Sequence, residues 1–275
     1  MAASLAAPSG PATAWLTPWL AQLPAPVGDL AAVQQRGRRA LAEQPLPGSR
    51  DEAWRFTDLS LLAQLPLAPA TAAAPLPALP PAQPDVLRLQ LDGLSDPLAG
   101  LSLPAGLEPL SAAELAQGLG HTLAATGCEH HWPVELNHAS AGRVLALRVA
   151  SRARVRLELV SSQPPALLPL RVLLVLEEKA ELELSQLLLA DQPGLTSLVL
   201  EAHLARSARL EHGLVALGHP EAALLGQIAL EQEPESSVAL TSVSAGWGLA
   251  RLEPWLTQVD GQAQSTLRGL QLVDG

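Results

Sequence analysis

From residue 143 to the C-terminus, apolar and polar residues alternate along the chain, and helix signals are few. Within this region, a small residue followed by apolar residues two and four positions later recurs at near-constant intervals. The pattern begins at five residues that are separated by 27, 28, 28 and 27 positions: Ala153, Ala180, Ala208, Ser236 and Ala263. A steady period of this length, made of strands alone, is typical of the stacked coils of a β-solenoid.

The repeat predicts where the side chains of each coil point. The small residue should lie at a tight inward bend, and the apolar residues should fill one interior column. His212 and Ser265 break the apolar pattern, and a β-sandwich with coincidental spacing is the competing interpretation. The positions between the apolar residues are charged, as a solvated outer face requires: Arg154, Arg156, Glu181, Glu183, Arg209 and Glu211. We therefore predict a mainly β fold, with a right-handed parallel β-helix core over residues 143–275 preceded by a small helical N-terminal region.

Residues 1–65 form the predicted helical N-terminal region. Its first helix lies within residues 14–44 and has apolar residues on one face: Trp15, Leu16, Trp19, Leu20 and Leu23. Pro24 and Pro26 interrupt this helix, and Asp29 is a suitable N-cap for a second one. A compact segment, residues 51–59, follows and contains the only phenylalanine of the chain.

Two further segments connect this region to the predicted core. Residues 66–84 consist almost entirely of Pro, Ala and Leu, and their prolines predict an extended linker. Residues 85–142 predict a small α/β segment leading into the core. In this segment a strand over residues 86–91 precedes a turn at Asp92-Gly93, and a helix over residues 111–127 begins with a capping-box spacing.

The charge balance excludes partners that need a basic surface. The net charge is −10, there is one lysine, and the densest basic stretch, residues 36–39, is predicted to be a solvated helix end. We therefore expect neither nucleic-acid nor membrane binding. The N-terminus lacks the features of a signal peptide, and the apolar run over residues 167–176 is far shorter than the ~20 residues of a membrane helix. Since the single cysteine cannot form an internal disulfide, we expect a soluble cytoplasmic protein.

The densest run of residue types that bind metals is Cys128-Glu129-His130-His131. Adjacent residues rarely converge on one ion, no second cluster supplies the missing ligands, and His138 lies seven positions after His131. We therefore predict an exposed loop with incidental ligand types, and a metal-binding module built on Cys128, His130 and His131 is the alternative. The other histidines are scattered singly and predict surface or satisfied core positions: His121, His203, His212 and His219.

The sequence contains no recognisable catalytic motif. It has neither a phosphate-cradling GxxxxGK[ST] loop nor a G-x-S-x-G nucleophile elbow. In the densest carboxylate run, residues 177–183, Glu181 and Glu183 alternate with inward leucines, which indicates one solvated strand face. A β-helix carbohydrate-active enzyme, which needs carboxylates converging on a cleft, is the alternative from the enzyme class. We predict no catalytic, cofactor-binding or metal-binding residues.

Residues 52–59 read Glu-Ala-Trp-Arg-Phe-Thr-Asp-Leu, and four further phrases follow in order along the chain. These phrases are the strand ending at Asp92-Gly93, residues 103–107, residues 136–139 and the coil from Arg251 to Leu270. The first resembles the E-x-W-[KR]-[YF]-T-x-L signature of SufD proteins, and the others are similar to later phrases of the same SufB/SufD iron–sulfur assembly family. The signature favours the SufD branch over its paralogue SufB.

This resemblance implies a non-enzymatic scaffold role. In the family, SufD-like proteins pair with SufB through their β-helix ends, and each binds the ATPase SufC through C-terminal helices. The complex assembles iron–sulfur clusters for transfer to other proteins. The implied partners are therefore SufB and SufC, and we expect no cofactor to be bound by this chain itself.

The resemblance also implies a longer polypeptide. Family members continue with further coils and a helical C-terminal domain, whereas this sequence stops at Gly275 in mid-repeat. The SufC-binding helices therefore have no counterpart here. A solenoid that stops inside a coil exposes strand edges and an apolar cross-section, so we expect this polypeptide alone to associate.

Overall fold

The structure is a computed structural model that describes residues 15–26 and 28–272. Expectations for residues 1–14, Val27 and residues 273–275 lie outside the described residues. The fold is mainly β, a parallel β-solenoid of about five turns with a few helices in the N-terminal half. The helices are α1 (Leu16–Gln22), α2 (Ala31–Glu43), α3 (Ala112–Gly118), α4 (His121–Thr126) and α5 (Trp132–Ser140). The strands are β1 (Leu87–Gln90), β2 (Leu107–Pro109), β3 (Leu145–Val149), β4 (Arg154–Ser162), β5 (Leu167–Leu176), β6 (Glu181–Leu189), β7 (Gly194–Leu204), β8 (Arg209–Leu217), β9 (Ala222–Gln232), β10 (Ser237–Ala245), β11 (Leu249–Gln258) and β12 (Gln264–Leu272).

Successive strands of the solenoid alternate between two sheets. Hydrogen-bonded neighbours are therefore mostly every second strand, in the orders β1-β4-β6-β8-β10-β12 and β11-β9-β7-β5-β3-β2. The strands of the coils pair in parallel, and β2 pairs with β3 antiparallel. The register reproduces the sequence repeat in one column of successive partners: Val155, Leu182, Leu210, Val238 and Ser265. The predicted parallel β-helix is confirmed, and parallel pairing across coils excludes the β-sandwich.

The small residue of each repeat lies at a bend, as predicted. The residue before it has a left-handed backbone in every coil, with φ between 58° and 66°: Arg152, Lys179, Ser207, Glu235 and Gln262. The small side chains at three of these bends are fully buried: Ala180, Ala208 and Ser236. A tight bend that brings the chain inward therefore requires a small residue at this position in the middle coils.

Replacing Lys179 by glycine is expected to raise the free energy of unfolding by about 0.5–1 kcal/mol. At a φ of 62° the Cβ of a lysine crowds the backbone, and glycine has no Cβ. The greater freedom of glycine in the unfolded chain offsets part of this gain. Denaturant unfolding measures the change, and Lys179→Ala is the control because it removes the same amine while keeping a Cβ. Equal stability of the two variants would contradict the strain at this bend.

His212 occupies the apolar column although its side chain is polar. Its register partners are Leu184 and Leu240, so its ring points into the buried interior of the solenoid. The ring Nε2 lies 3.1 Å from Oε1 of Gln186, which is also buried. The break in the sequence pattern is therefore a buried polar pair within a regular coil.

The outer face of the sheet that contains β4 and β6 carries ion pairs between coils. Arg154 Nε lies 3.0 Å from a Glu181 oxygen, and Arg156 Nε lies 2.7 Å from a Glu183 oxygen. The carboxylate run identified in the sequence thus faces solvent beside arginines. Towards the C-terminal ends of β8 and β12 in the same sheet, four large apolar side chains are also exposed: Val215, Leu217, Leu270 and Leu272.

Helix α2 packs closely on α5, and Gly37 is buried between them. Gln34 Nε2 donates to the carbonyl oxygen of Ala141 at 2.8 Å, and Arg38 Nε donates to that of Ala139 at 3.2 Å. Arg36 and Arg39 are exposed, as the predicted solvated run requires, but residues 36–39 do not form a helix end. The run lies within α2, and its small residue allows the two helices to approach.

Three local expectations for the helices differ from the structure. Asp29 does not cap α2, because it lies in a 3₁₀ turn and the N-cap residue is Leu30. The helix expected over residues 111–127 has the predicted capping box but is divided into α3 and α4 at Gly120, whose φ is 85°. Helix α5 was not predicted at all, although Pro133 lies in its first turn, where proline is favoured.

The proline-rich segment over residues 66–84 contains neither helix nor strand, in keeping with its prolines. It nevertheless lies against the solenoid. Leu67 and Ala74 are buried, and the amide of Leu167 donates to the carbonyl oxygen of Ala68 at 3.2 Å. The segment therefore packs against the β-helix in an extended conformation.

Candidate functional site: a tryptophan-lined cleft

A cleft of about 830 Å³ lies where three distant parts of the chain meet. Its walls are residues 44–54, residues 130–132 and part of β11. The chain has only six tryptophans and one phenylalanine, yet Trp54, Trp132 and Trp255 all line this cleft. Clefts of this size with aromatic walls and a few polar groups are the usual form of binding sites in proteins.

Arg251 joins the N-terminal segment to the solenoid. Its guanidinium lies 3.9 Å from the ring centre of Trp54, and its Nη1 donates to Thr57 Oγ1 at 2.8 Å. The same side chain is ion-paired with Glu253 on its own strand. An arginine over a tryptophan face is a favourable cation–π contact. The Arg251 side chain therefore connects the segment with the W-R-F-T sequence to β11.

Trp255 and His131 also line the cleft. Their rings meet edge to face with centres 4.7 Å apart. With the amide of the buried Gln227 oriented to suit its neighbours, its oxygen accepts from Trp255 Nε1 at 2.6 Å and its nitrogen donates to Glu253 at 3.2 Å. Burial lowers the pKa of His131, which favours the neutral ring in this wall.

His130 connects the cleft to a buried carboxylate. Its Nδ1 lies 3.3 Å from Glu135 Oε1, and the other oxygen of Glu135 lies 3.3 Å from Nδ1 of the buried His138. Burial lowers the pKa of His138 to about 4, so its ring is neutral at pH 7. His130 and His131 precede α5 and His138 lies in its last turn, and of the three only His138 is fully buried.

Cys128 contradicts the expectation of an exposed loop. It is fully buried, and its Sγ lies 3.2 Å from Thr126 Oγ1. Burial raises the pKa of the thiol, which favours the protonated form over the thiolate that a metal requires. Cys128, His130 and His131 do not converge, and within the described residues no group of three His, Cys, Asp or Glu side chains is placed to hold a metal ion.

Two histidines that the sequence places far apart meet at one carboxylate. Glu231 Oε2 lies 3.5 Å from His121 Nε2 and 3.4 Å from His203 Nδ1. His203 and Glu231 are register partners on β7 and β9. Their contact could therefore have been predicted from the period of the repeat. The approach of His121 on α4 had no such signal, because it depends on how the helix packs.

A buried ion pair and a buried amide attach the helices to the sheet. Arg171 Nη2 lies 2.6 Å from Glu201, whose carboxylate also accepts from the amide of Gly120 at 3.0 Å, before α4. Asn137 Nδ2 donates to the carbonyl oxygens of Leu170 at 3.1 Å and Ser197 at 3.0 Å. These residues position the loop that carries His130 and His131. Asn137 lies in the phrase at residues 136–139, but nothing in the local sequence pattern indicated that Arg171 and Glu201 would meet.

The C-terminal part of the chain matches one protein-family model. Residues 159–275 match the family model described as SUF system FeS cluster assembly, SufBD core domain. This part of the chain is therefore similar to the core of SufB/SufD proteins, and the match indicates involvement in iron–sulfur cluster assembly. No curated protein matched the chain. Within the described residues, no helix is long and apolar enough to cross a membrane.

Proposed function

We propose that this protein is the SufD-type subunit of a cytoplasmic SufB–SufC–SufD complex and acts as a non-catalytic scaffold for iron–sulfur cluster assembly. The β-solenoid coils from β5 onward lie in the segment that matches the SufBD core domain. The W-R-F-T phrase lies outside the matched segment and is the part that favours SufD over SufB.

The observation that carries this proposal is the Arg251 contact. Arg251 lies within the matched segment, and its guanidinium holds Trp54 and Thr57 of the W-R-F-T phrase. The two parts of the sequence that resemble the family are therefore joined in the structure by direct side-chain contacts.

A scaffold role suits the chemistry of the described side chains. Several carboxylates on the solenoid are paired with arginines: Glu181, Glu183 and Glu201. In this proposal the chain binds no cofactor of its own, and the iron–sulfur cluster is the cargo of the complex. Hydrolysis of ATP belongs to SufC.

Co-purification of the intact protein with SufB and SufC tests this proposal. The three proteins are co-expressed, this protein carries the affinity tag, and the eluate is analysed by mass spectrometry and by sedimentation. We expect both partners to be retained in a defined complex. A folded, soluble protein that retains neither SufB nor SufC would remove the functional assignment.

A further inference from the structure

We propose that a small cavity between α2, α5 and β5 binds a single buried water molecule through Arg171, Asn137 and His138. This cavity, called the Arg171 cavity below, has a volume of about 10 Å³. The rest of its lining is apolar and comes from Leu30, Val33, Leu119 and Ala141. The inference does not depend on the proposed function, because it concerns how the helices are attached to the solenoid.

The three polar side chains of the cavity belong to buried residues, each with at most 4% of its surface exposed. Four of their polar atoms have no hydrogen-bond partner within the described residues: Nε and Nη1 of Arg171, Oδ1 of Asn137 and Nε2 of His138. Buried polar atoms in folded proteins are nearly always paired, either with protein or with ordered water. Three such side chains at one cavity therefore point to a polar occupant.

Asn137 contributes a hydrogen-bond acceptor. Its Nδ2 donates to the carbonyl oxygens of Leu170 and Ser197, at 3.1 and 3.0 Å. Since a carbonyl oxygen can only accept, these contacts fix the orientation of the amide and make Oδ1 the atom that remains unpaired. The occupant must therefore donate a hydrogen bond to Asn137.

His138 suits an occupant that can both donate and accept. Its Nδ1 lies 3.3 Å from Glu135 Oε2 and 3.4 Å from Arg36 Nη2. A proton on Nδ1 is donated to the carboxylate and leaves Nε2 as an acceptor, whereas a proton on Nε2 leaves Nδ1 to accept from the arginine. Water pairs with Nε2 in either tautomer, because it can donate or accept.

Arg171 supplies a donor without adding an unpaired charge. Its Nη2 lies 2.6 Å from Glu201 Oε1, so the guanidinium is already ion-paired. A chloride or other anion would lose its hydration in the cavity and would face the lone pairs of Asn137 Oδ1. A metal cation would be repelled by the guanidinium. A neutral molecule that both donates and accepts is therefore the chemistry that suits all three side chains.

The size of the cavity limits this molecule to water. One water molecule needs ~10–15 Å³ of such space, and a buried water commonly makes about three hydrogen bonds. In the Arg171 cavity, the water accepts from one N–H of Arg171, donates to Asn137 Oδ1 and pairs with His138 Nε2. It therefore adds a link between β5 and α5 to the direct contacts of Asn137.

High-resolution crystallography of the intact protein tests the site directly, with bromide in the soaking solution as a probe for anions. We expect one water peak within about 3.2 Å of Arg171, Asn137 and His138, and no anomalous bromide signal in the cavity. An anomalous bromide peak would show that the site holds an anion. Absence of any peak in a well-ordered cavity would show that it is dry, and either result would overturn the inference.

Two variants of similar volume test the need for a polar occupant in solution. Ala141 lines the cavity and has an extended backbone, so Ala141→Thr and Ala141→Val introduce β-branched side chains of similar shape. Both should displace the water, but only the threonine hydroxyl can donate and accept in its place. We therefore expect urea unfolding to give an unfolding equilibrium constant about tenfold larger for Ala141→Val than for Ala141→Thr.

Val155→Thr is the control for the cost of a threonine hydroxyl in an apolar interior. Val155 lies in the apolar column of the solenoid beside Leu182, and there the exchange of a methyl group for a hydroxyl should destabilise the fold. The opposite order of valine and threonine at residue 141 would show that unpaired polar groups line the Arg171 cavity. An Ala141→Val variant as stable as Ala141→Thr would overturn the inference, and the crystallographic test decides if either variant fails to fold.

Discussion

Replacing Gly37 by alanine is expected to lower the free energy of unfolding by about 3 kcal/mol. A Cβ at this position would lie 2.6 Å from the amide nitrogen of Ala139 and 2.6 Å from Cβ of His138. It would also lie 2.8 Å from the carbonyl oxygen of Glu135. These atoms belong to the backbone and Cβ of α5 and cannot rotate away, so α2 must move off α5.

The better helix propensity of alanine opposes this loss by about 1 kcal/mol, which is smaller than the cost of separating the two helices. Urea unfolding monitored by tryptophan fluorescence measures the net change. Gly142→Ala, just after α5, is the matched control, because a Cβ there would have no atom within 4 Å. A Gly37→Ala variant as stable as this control would show that the two helices do not approach as closely as described.

The solenoid half of the fold could be predicted because its pattern is local and repeated. Each coil places its small residue at the same bend. The spacing of these residues from Ala153 to Ala263 therefore predicts which residues of neighbouring coils pair in the sheet. Even His212, which breaks the apolar pattern, keeps its inward position because its neighbours in the coil fix it.

The candidate site could not be predicted as a site, although its parts were noticed separately. The W-R-F-T phrase, the pair His130-His131 and the coil at Arg251 each stood out in the sequence. Their meeting depends on how α5 is attached to the solenoid, through Asn137 and the approach at Gly37. A single buried amide and a single helical glycine give no periodic signal, so the sequence could not show this arrangement.

The same reasoning explains why Cys128 was placed wrongly. A short run of Cys, Glu and two His looks like a polar loop, and polar loops are usually exposed. Cys128 is instead packed with Leu123 and Val134 from the flanking helices and with Val199 of β7. Tertiary contacts between α4, α5 and β7 therefore decide its burial, and the local composition does not.

Lowering the pH from 7 to 4 is expected to destabilise the protein strongly, and His212 is one cause. Burial lowers its pKa from 6.5 to about 4, because an imidazolium would lose its hydration in the solenoid interior. Above pH 6.5 the ring is neutral in both the folded and the unfolded states. Between pH 6.5 and 4 only the unfolded state binds the proton, so stability falls with the pH, by about 3 kcal/mol for this group.

His138 adds a second loss in the same pH window. Burial lowers its pKa to about 4 even though Glu135 acts in the opposite direction, and the nearby Arg171 and Arg36 lower it further. The sign is the same as for His212, because the unfolded state again binds the proton more readily than the folded state. The wild-type protein should therefore lose stability between pH 6.5 and 4 from two buried rings at once.

The double variant Gln186→Leu/His212→Leu isolates the contribution of the solenoid interior. Replacing both partners leaves no unpaired polar atom from this pair and continues the column of Leu184 and Leu240, so stability at pH 7 should equal or exceed that of wild type. Urea unfolding at pH 7, 5.5 and 4 should show about 3 kcal/mol less loss than in wild type. Gln186→Leu alone is the control, because it keeps the buried ring and with it the pH dependence. A double variant with the wild-type pH dependence would show that His212 does not exclude the proton in the folded state.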